Sequence, residues 1–140
     1  LSNLIKSEFL QKHIEIRGKR SFPLYFASEN EEFKKIKKLS NEYELIYSGI
    51  IEFLKLKLMP NSIIVFGSYS RGEDLEESDI DLFVESEIKE IDLKKFEKKL
   101  KRKINLTFKE DLNKLDKNLL INIINGKILY GEIHLKWKKL

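Results

Sequence analysis

The residues most able to do chemistry lie in one stretch, which reads Gly67-Ser68-x-x-x-Gly72-x-x-x-x-x-Ser78-Asp79-x-Asp81. Asp79 and Asp81 stand at the start of an apolar run, and alternate residues of a strand point from the same face. Two carboxylates held together without a partner repel each other, and a divalent cation removes that conflict. Mg²⁺ is commonly held by one or two carboxylates together with substrate phosphates. The pair therefore predicts a Mg²⁺ site, although acidic residues that merely face solvent would give the same pattern.

The small residues of this stretch predict a place for a phosphate. Gly67 follows a short apolar run at residues 63–66, and a glycine lets the backbone approach a ligand closely. Ser68 offers a hydroxyl and an N–H near a predicted helix start, which favours anions. Arg71 is the only basic residue between residues 61 and 88. We expect it either to reach a phosphate or to pair with Glu73 or Asp74.

These residues resemble the signature of the minimal nucleotidyltransferases of the DNA polymerase β superfamily. The resemblance is densest over residues 62–85, continues in element order to about residue 132, and includes the run at 125–131. It implies an α/β (α+β) nucleotidyltransferase fold, with a mixed β-sheet and helices packed on it. It also implies transfer of a nucleoside monophosphate from a nucleoside triphosphate, with ATP as the expected substrate. In that family Asp79 and Asp81 would be catalytic and hold Mg²⁺, and the nucleotide would be bound by Gly67, Ser68, Arg71, Gly72 and Ser78.

The chain departs from that family at the third carboxylate, which the next strand normally supplies to complete a second metal site and to activate the acceptor. The predicted strand at 103–108 places Asn105 at this third catalytic position. An amide oxygen can coordinate a cation, but it brings no charge and is a poor base. Glu110 and Asp111 follow the strand, about five residues or roughly 16 Å further along. Nucleotide and one-metal binding therefore follow from the sequence more directly than catalysis does.

Two functions remain open at this point. The first is a Mg²⁺-dependent enzyme that transfers AMP from ATP to a hydroxyl acceptor. The resemblance to the small prokaryotic members implies that the acceptor lies on a partner protein, with the chain as the antitoxin of a helical HEPN-class toxin. The alternative is a nucleotide-sensing or DNA-binding regulator on the same fold, catalytically impaired by Asn105.

Composition narrows the class of protein. The 140 residues suit one domain with a small appendage, 41% of them are hydrophobic, and there is no cysteine for a disulfide or a thiolate zinc site. No apolar run approaches the length of a membrane span and no signal peptide is visible, so we expect a cytoplasmic protein. The chain begins at Leu1 rather than Met, which leaves open that the natural N-terminus lies upstream.

The charge is unevenly distributed along the chain. Residues 61–88 carry a net charge of −7, against +3 before them and +8 after them. The acidic block needs a cation, and the basic block that follows could meet phosphates or nucleic acid. Within the basic block, the lysine-rich outer face of a helix predicted at 91–100 is either a solvated surface or a positive rim that guides a triphosphate or RNA.

The preceding elements must position this site. Residues 1–28 are predicted as a helix at 1–10 and a β-hairpin with a basic tip. Together they form an appendage that is a winged-helix remnant, a packed hairpin or an oligomer contact. Residues 29–140 are predicted as the nucleotidyltransferase domain. Ser28 and Glu31 predict a capping box for a long helical segment that ends at residue 58, with breaks at 40–41 or 48–49.

The remaining elements alternate between strands and helices. The patterns predict strands at 63–66, 80–85, 104–108 and 128–130, a short helix near 70–74, and a last helix at 113–125. Asp92 is predicted to cap the helix at 91–100, and Gly126 is predicted to end the last helix.

Overall fold

The computed structural model describes residues 2–6 and 8–136, whose strands form two separate sheets. The first sheet is an antiparallel hairpin of β1 (Leu10–Arg17) and β2 (Arg20–Ala27). The second contains β3 (Ser62–Phe66), β4 (Ile80–Val84), β5 (Ile104–Phe108) and β6 (Lys127–Gly131), in the order β5-β4-β3-β6. Strand β3 is antiparallel to β4 and β6, whereas β4 and β5 are parallel. The predicted mixed α/β fold is therefore confirmed.

Six helices accompany the sheets in the described residues. They are α1 (Ser2–Lys6), α2 (Glu31–Ser48), α3 (Ile50–Leu58), α4 (Gly67–Arg71), α5 (Lys94–Leu100) and α6 (Lys117–Ile124), with a 3-10 turn at Leu112–Lys114. None of them is both long enough and apolar enough to cross a membrane.

The long helical segment begins and breaks for identifiable reasons. Asn30, not the predicted Ser28, caps α2, because its side-chain oxygen accepts from the Phe33 N–H at 2.8 Å. The segment then breaks at Gly49, whose φ of 82° ends α2 and starts α3. This break is one of the two that the sequence predicted.

Several other boundaries differ from the prediction. The short helix after β3 begins at Gly67 instead of near residue 70. The last helix begins only at Lys117, because Asp116 accepts from two N–H groups of its first turn. That helix ends at Ile124, and its C-cap is Asn125 in place of the predicted Gly126. Asp92 does accept from the Lys94 N–H at 3.0 Å, but the residue that precedes α5 is Leu93.

The four-stranded sheet has an apolar cluster on each face, because successive residues of a strand point to opposite sides. On one side, Ile63 and Val65 pack in a cluster with residues of α2, α3 and α5. On the other side, Ile64 and Phe83 pack with Ile123 of α6. Residues 79 and 81 are separated from Phe83 by even numbers of residues, so their side chains point to the same face of the sheet as Phe83. Helix α6 packs on another part of that face.

The hairpin projects from this body. Every residue of β1 and β2 is exposed or half-buried. At its base, the Ser28 N–H donates to the Phe9 carbonyl, and the Asn30 amide donates to the Glu8 carbonyl. The Phe9 and Phe33 rings are in contact at 6.1 Å between centroids. The domain boundary at 28/29 stays a prediction.

Gly72 fixes how closely α2 approaches the site. Its φ is 67°, and a Cβ there would lie 2.3 Å from the backbone oxygen of Lys34 in α2. Helix α2 therefore packs directly on the backbone that follows α4, which only a glycine permits.

A Gly72→Ala substitution should destabilise the folded protein by more than the backbone strain alone would. We expect a loss of about 3 kcal/mol in the free energy of unfolding, from the left-handed conformation and the clash with α2 together. The control is Gly49→Ala, at φ 82° with nothing within 4 Å of a new Cβ, where only about 1 kcal/mol of strain applies. Urea unfolding of both variants measures the difference. Equal losses would show that α2 moves away without cost.

Candidate active site

The site begins where β3 turns into α4. Gly67 has a φ of 74°, and a Cβ at this position would lie 2.8 Å from Oδ2 of Asp81. A side chain at this position would be strained by the left-handed conformation and would press on the carboxylate beside it. The neighbour of Gly67 is thus one of the two predicted metal ligands, and its close approach to a nucleotide stays a prediction.

The structure brings the three predicted catalytic residues together. Asp81 lies in the sheet opposite Phe66 on β3 and Asn105 on β5. The Asn105 side-chain nitrogen donates to Asp81 Oδ1 at 3.0 Å and to Asp79 Oδ2 at 3.2 Å. Ionised carboxylates only accept hydrogen bonds, so the NH₂ group is the end of the amide that can face them. Asn105 therefore bridges the two carboxylates and relieves their repulsion.

This donor set fits a divalent cation of the magnesium type. Asp79 and Asp81 are half-buried and present hard oxygen donors, which Mg²⁺ prefers. Within residues 2–6 and 8–136, no cluster of three or more His, Cys, Asp or Glu is arranged to hold a metal. Among the described residues, a cation on this face would therefore find two carboxylates and the Asn105 amide as its side-chain ligands.

The carboxylates beyond β5 lie at the other end of the sheet. Asn105 is level with Asp81, but Phe108 is level with Val84, and Asp111 follows that end. There Asp111 accepts from the Asn113 N–H at 2.9 Å and from the Asn113 side chain, which lowers the pKa of the Asp111 carboxyl. Asp111 therefore caps a turn, away from Asp79 and Asp81.

Two predicted nucleotide-binding residues have local roles in the structure. Ser68 lies half-buried in the first turn of α4, directly after Gly67. The Ser78 hydroxyl accepts from the Leu75 N–H at 2.8 Å, and the Ser78 N–H donates to the Leu75 carbonyl at 3.1 Å. Ser78 thus closes the turn that leads into Asp79. Contact of either serine with a nucleotide stays a prediction.

Arg71 adopts one of its two predicted roles. Its Nε donates to Glu73 Oε2 at 2.8 Å, on the surface. This hydrogen bond, together with the nearby charges of Arg71 and Lys34, lowers the pKa of the Glu73 carboxyl. Because both partners are exposed, Arg71 can leave Glu73 for a phosphate at little cost.

A buried ion pair that was not predicted from the sequence lies beside the site. Asp74 is fully buried, and Arg102 Nη2 donates to its carboxylate at 2.8 Å. Asn41 and Lys37 of α2 also donate to Asp74. Asp74 lies in a polar run that reads as solvent-exposed. The weak signal was Arg102, the only arginine among the lysines of residues 89–140.

The lysines of α5 are used partly for packing. Lys95 Nζ lies over the rings of Phe53 and Phe96, at 5.1 and 4.7 Å from their centroids. Lys99 Nζ lies 5.0 Å from the Tyr47 ring centroid and donates to the Tyr47 carbonyl. These contacts tie α5 to α2 and α3, and the predicted positive rim stays a prediction.

Comparison with known proteins decides the family. The sequence model of the family described as "Nucleotidyltransferase domain" matches residues 47–130, more than half of the chain. The chain belongs to this family. Proteins of this family transfer nucleotidyl groups, and they generally use a nucleoside triphosphate and a divalent metal. The matched residues of this nucleotidyltransferase begin in α2 and contain the complete four-stranded sheet but for one residue of β6.

A curated relative shares a short segment with this nucleotidyltransferase. It is a protein of Methanocaldococcus jannaschii named "Putative protein adenylyltransferase", 59% identical over 34 residues. That match covers 24% of the chain and 34% of the relative, so the chain matches about a third of the relative's length. No solved structure gives a significant match.

Tyr69 is buried and packs against the Arg102 side of the ion pair. Its ring centroid is 5.4 Å from the Arg102 guanidinium, and its hydroxyl donates to the Asn41 carbonyl at 3.3 Å. Burial raises the pKa of Tyr69 to about 12, partly opposed by Arg102. The folded state therefore holds this proton at pH values where the unfolded chain, with a pKa of about 10, has lost it.

We expect the free energy of unfolding to fall as pH rises from about 10 to about 12, because the unfolded state binds fewer protons there. A Tyr69→Phe variant should lose this part of the pH dependence. Tyr43→Phe, at a tyrosine that is 61% exposed, should keep it. Denaturant unfolding at pH 9, 10 and 11 tests this prediction. It would be contradicted if the free energy of unfolding fell equally with pH in the natural chain and in both variants.

Proposed function

We propose that this nucleotidyltransferase transfers AMP from ATP to a hydroxyl acceptor in a Mg²⁺-dependent reaction. The observation that carries the proposal is the contact of Asn105 with both Asp79 and Asp81, directly beside the glycine turn. Two hard carboxylates next to a backbone that approaches closely suit a metal-bound triphosphate.

Asp79 and Asp81 would hold Mg²⁺. The Asn105 side-chain oxygen would be a third ligand once the amide group has rotated so that its oxygen, and not its nitrogen, faces the two carboxylates. The ion would supply charge neutralisation for the triphosphate oxygens. Gly67 keeps the backbone within reach of the phosphates, and the Ser68 hydroxyl donates to one of them. These groups bind and orient, and nucleotidyl transfer depends mainly on such positioning and electrostatics.

The transfer forms a bond between the acceptor oxygen and the α-phosphorus. It breaks the bond from the α-phosphorus to the bridging oxygen, and the β- and γ-phosphates leave as pyrophosphate. The acceptor hydroxyl also loses its proton. Asn105 has no group that can take it, because an amide is not a base near neutral pH. The proton therefore passes to water, to the substrate phosphates or to a group on the acceptor.

For the acceptor we propose a hydroxyl on a partner protein. The name of the Methanocaldococcus jannaschii relative, a protein adenylyltransferase, supports this class of acceptor. The resemblance to the small prokaryotic nucleotidyltransferases favours a HEPN-class toxin as the partner, with this chain as its antitoxin in the cytoplasm.

The alternative is a nucleotide-sensing or DNA-binding regulator, and two observations favour it. Asn105 replaces a carboxylate at the catalytic centre. In addition, the hairpin projects into solvent with Arg17, Lys19 and Arg20 at its tip, where nucleic-acid phosphates could be contacted.

Calorimetric titration of ATP, with and without Mg²⁺, tests the proposed site. We expect Mg²⁺-dependent binding that Asp81→Asn weakens at least about tenfold, because one of two anionic ligands is lost. The control is Asp92→Asn, an exposed aspartate whose turn an asparagine also caps, and it should bind as the natural chain does. Absence of ATP binding in the natural chain would refute the enzyme and an ATP sensor, and would leave the DNA-binding regulator.

Asn105→Asp tests the missing carboxylate. Without Mg²⁺ we expect the variant to be about 1 kcal/mol less stable, because a bridging donor becomes a third anion. Mg²⁺ should then raise its melting temperature more than that of the natural chain, and adenylylation of a protein acceptor should increase. A melting temperature that responds to Mg²⁺ no more than in the natural chain would show that residue 105 is not a metal ligand.

A further inference from the structure

Arg102 contacts the backbone that leads into Asp79 as well as the buried carboxylate of Asp74. Its side chain is 16% exposed. Nη2 donates to Asp74 Oδ2, while Nη1 donates to the carbonyls of Ser78, at 2.9 Å, and of Leu75. The planar guanidinium fork has five N–H donors in fixed directions, so one arginine can hold three acceptors at once.

Asp74 is in turn held from the opposite side by α2. Asn41 Nδ2 donates to Asp74 Oδ1 at 2.8 Å, and Lys37 Nζ lies 3.5 Å from the same oxygen. In the described residues, no buried side-chain nitrogen or oxygen lacks a hydrogen-bond partner. A buried charge with a complete set of partners is rigid, because any displacement leaves a group unpaired. The Asp74 carboxylate is therefore a fixed partner for Arg102, which in turn holds the backbone of residues 75–78.

Residues 102–103 form hydrogen bonds to the chain on both sides of Asp79. Before Asp79, the Ser78 carbonyl accepts from the Arg102 side chain. After it, the Ile80 N–H donates to the Lys103 carbonyl at 2.8 Å. The backbone position of Asp79 is thus set by two bonds to residues 102–103.

The two carboxylates differ in what fixes them. Asp81 lies inside the sheet, paired in register with Phe66 and Asn105. Asp79 precedes the first residue of β4, and the β4–β5 ladder begins only after it, with the Ile80 N–H bond to the Lys103 carbonyl. On the other side of Asp79, the bond from Arg102 to the Ser78 carbonyl holds the chain.

We propose that Arg102, anchored by Asp74, is a positioning residue that sets Asp79 at the correct distance from Asp81 for a shared cation. This inference rests on the proposed function, since it assigns a role toward the cation and the triphosphate of the same site. Arg102 acts through Asp79 and is itself buried behind the loop, so it does not touch the substrate.

Arg102→Lys keeps the positive charge but cannot hold three acceptors. We expect it to raise the half-saturating Mg²⁺ concentration for ATP binding about tenfold, with ATP affinity restored at saturating Mg²⁺. In an Asp79→Asn background, the same substitution should change the half-saturating Mg²⁺ concentration by less than about twofold. Arg102 is proposed to act only through Asp79, so its effect should be lost once that carboxylate is removed. A purely structural role would lower the melting temperature and leave the Mg²⁺ midpoint unchanged.

Two further variants complete the test. Asp74→Asn removes the anchor at nearly constant volume and should shift the Mg²⁺ midpoint in the same direction as Arg102→Lys. Lys98→Gln, at an exposed lysine of α5, removes a positive charge without touching the loop, so its midpoint should equal that of the natural chain. A Mg²⁺ shift in Arg102→Lys that persists undiminished in the Asp79→Asn background would overturn the proposal.

Amide hydrogen exchange separates this inference from the proposed function, because it needs neither Mg²⁺ nor ATP. Arg102→Lys should speed exchange in residues 75–80 while β3 and α3 keep their protection. If the natural chain binds no Mg²⁺–ATP but exchange at 75–80 still increases, the proposed function fails and the hold of Arg102 on Asp79 stands. Unchanged exchange at 75–80 would refute that hold whatever the chain binds.

Discussion

Two carboxylates at the start of one strand repel each other, and the arrangement of the site depends on how that repulsion is met. Asp79 and Asp81 share the side-chain nitrogen of Asn105, at 3.2 and 3.0 Å. A cation would meet the same need with greater charge, so the amide and the cation compete for the same two oxygens. The contact keeps the carboxylates together, and it also sets the free energy that a bound cation must exceed.

Three kinds of structure bring these groups to one place. The parallel pairing of β4 with β5 puts Asn105 level with Asp81. The left-handed glycine after β3 brings the turn against the carboxylate, where any side chain would collide. The buried contact between Asp74 and Arg102 fixes the loop before β4. The first is backbone pairing, the second is steric and the third is electrostatic, so the site does not rest on a single type of interaction.

Much of this was readable from the sequence, for local reasons. The hairpin, the four strands of the main sheet and the pairing of Asp79 with Asp81 follow from strand periodicity. The association of Asn105 with them followed from the resemblance to the nucleotidyltransferases. Helix starts were less predictable, because Ser28 and Asn30 are both good capping residues and only the backbone decides between them. The burial of Asp74 could not be predicted from its own segment, which is mostly polar. Its partners Asn41 and Arg102 are 33 and 28 residues away, and sequence patterns carry no signal for such pairs.

Gly72 has a mechanical consequence. Its backbone touches the backbone of Lys34 in α2 without an intervening side chain, and peptide groups in contact cannot yield as side chains do. Helix α2 therefore cannot move closer to this turn without displacing it. The outer face of α2 carries Ile36, Leu39, Tyr43, Ile46 and Tyr47, each 49% to 67% exposed. A displacement of α2 toward the site would therefore press directly on the backbone at Gly72, where no side chain can rotate out of the way.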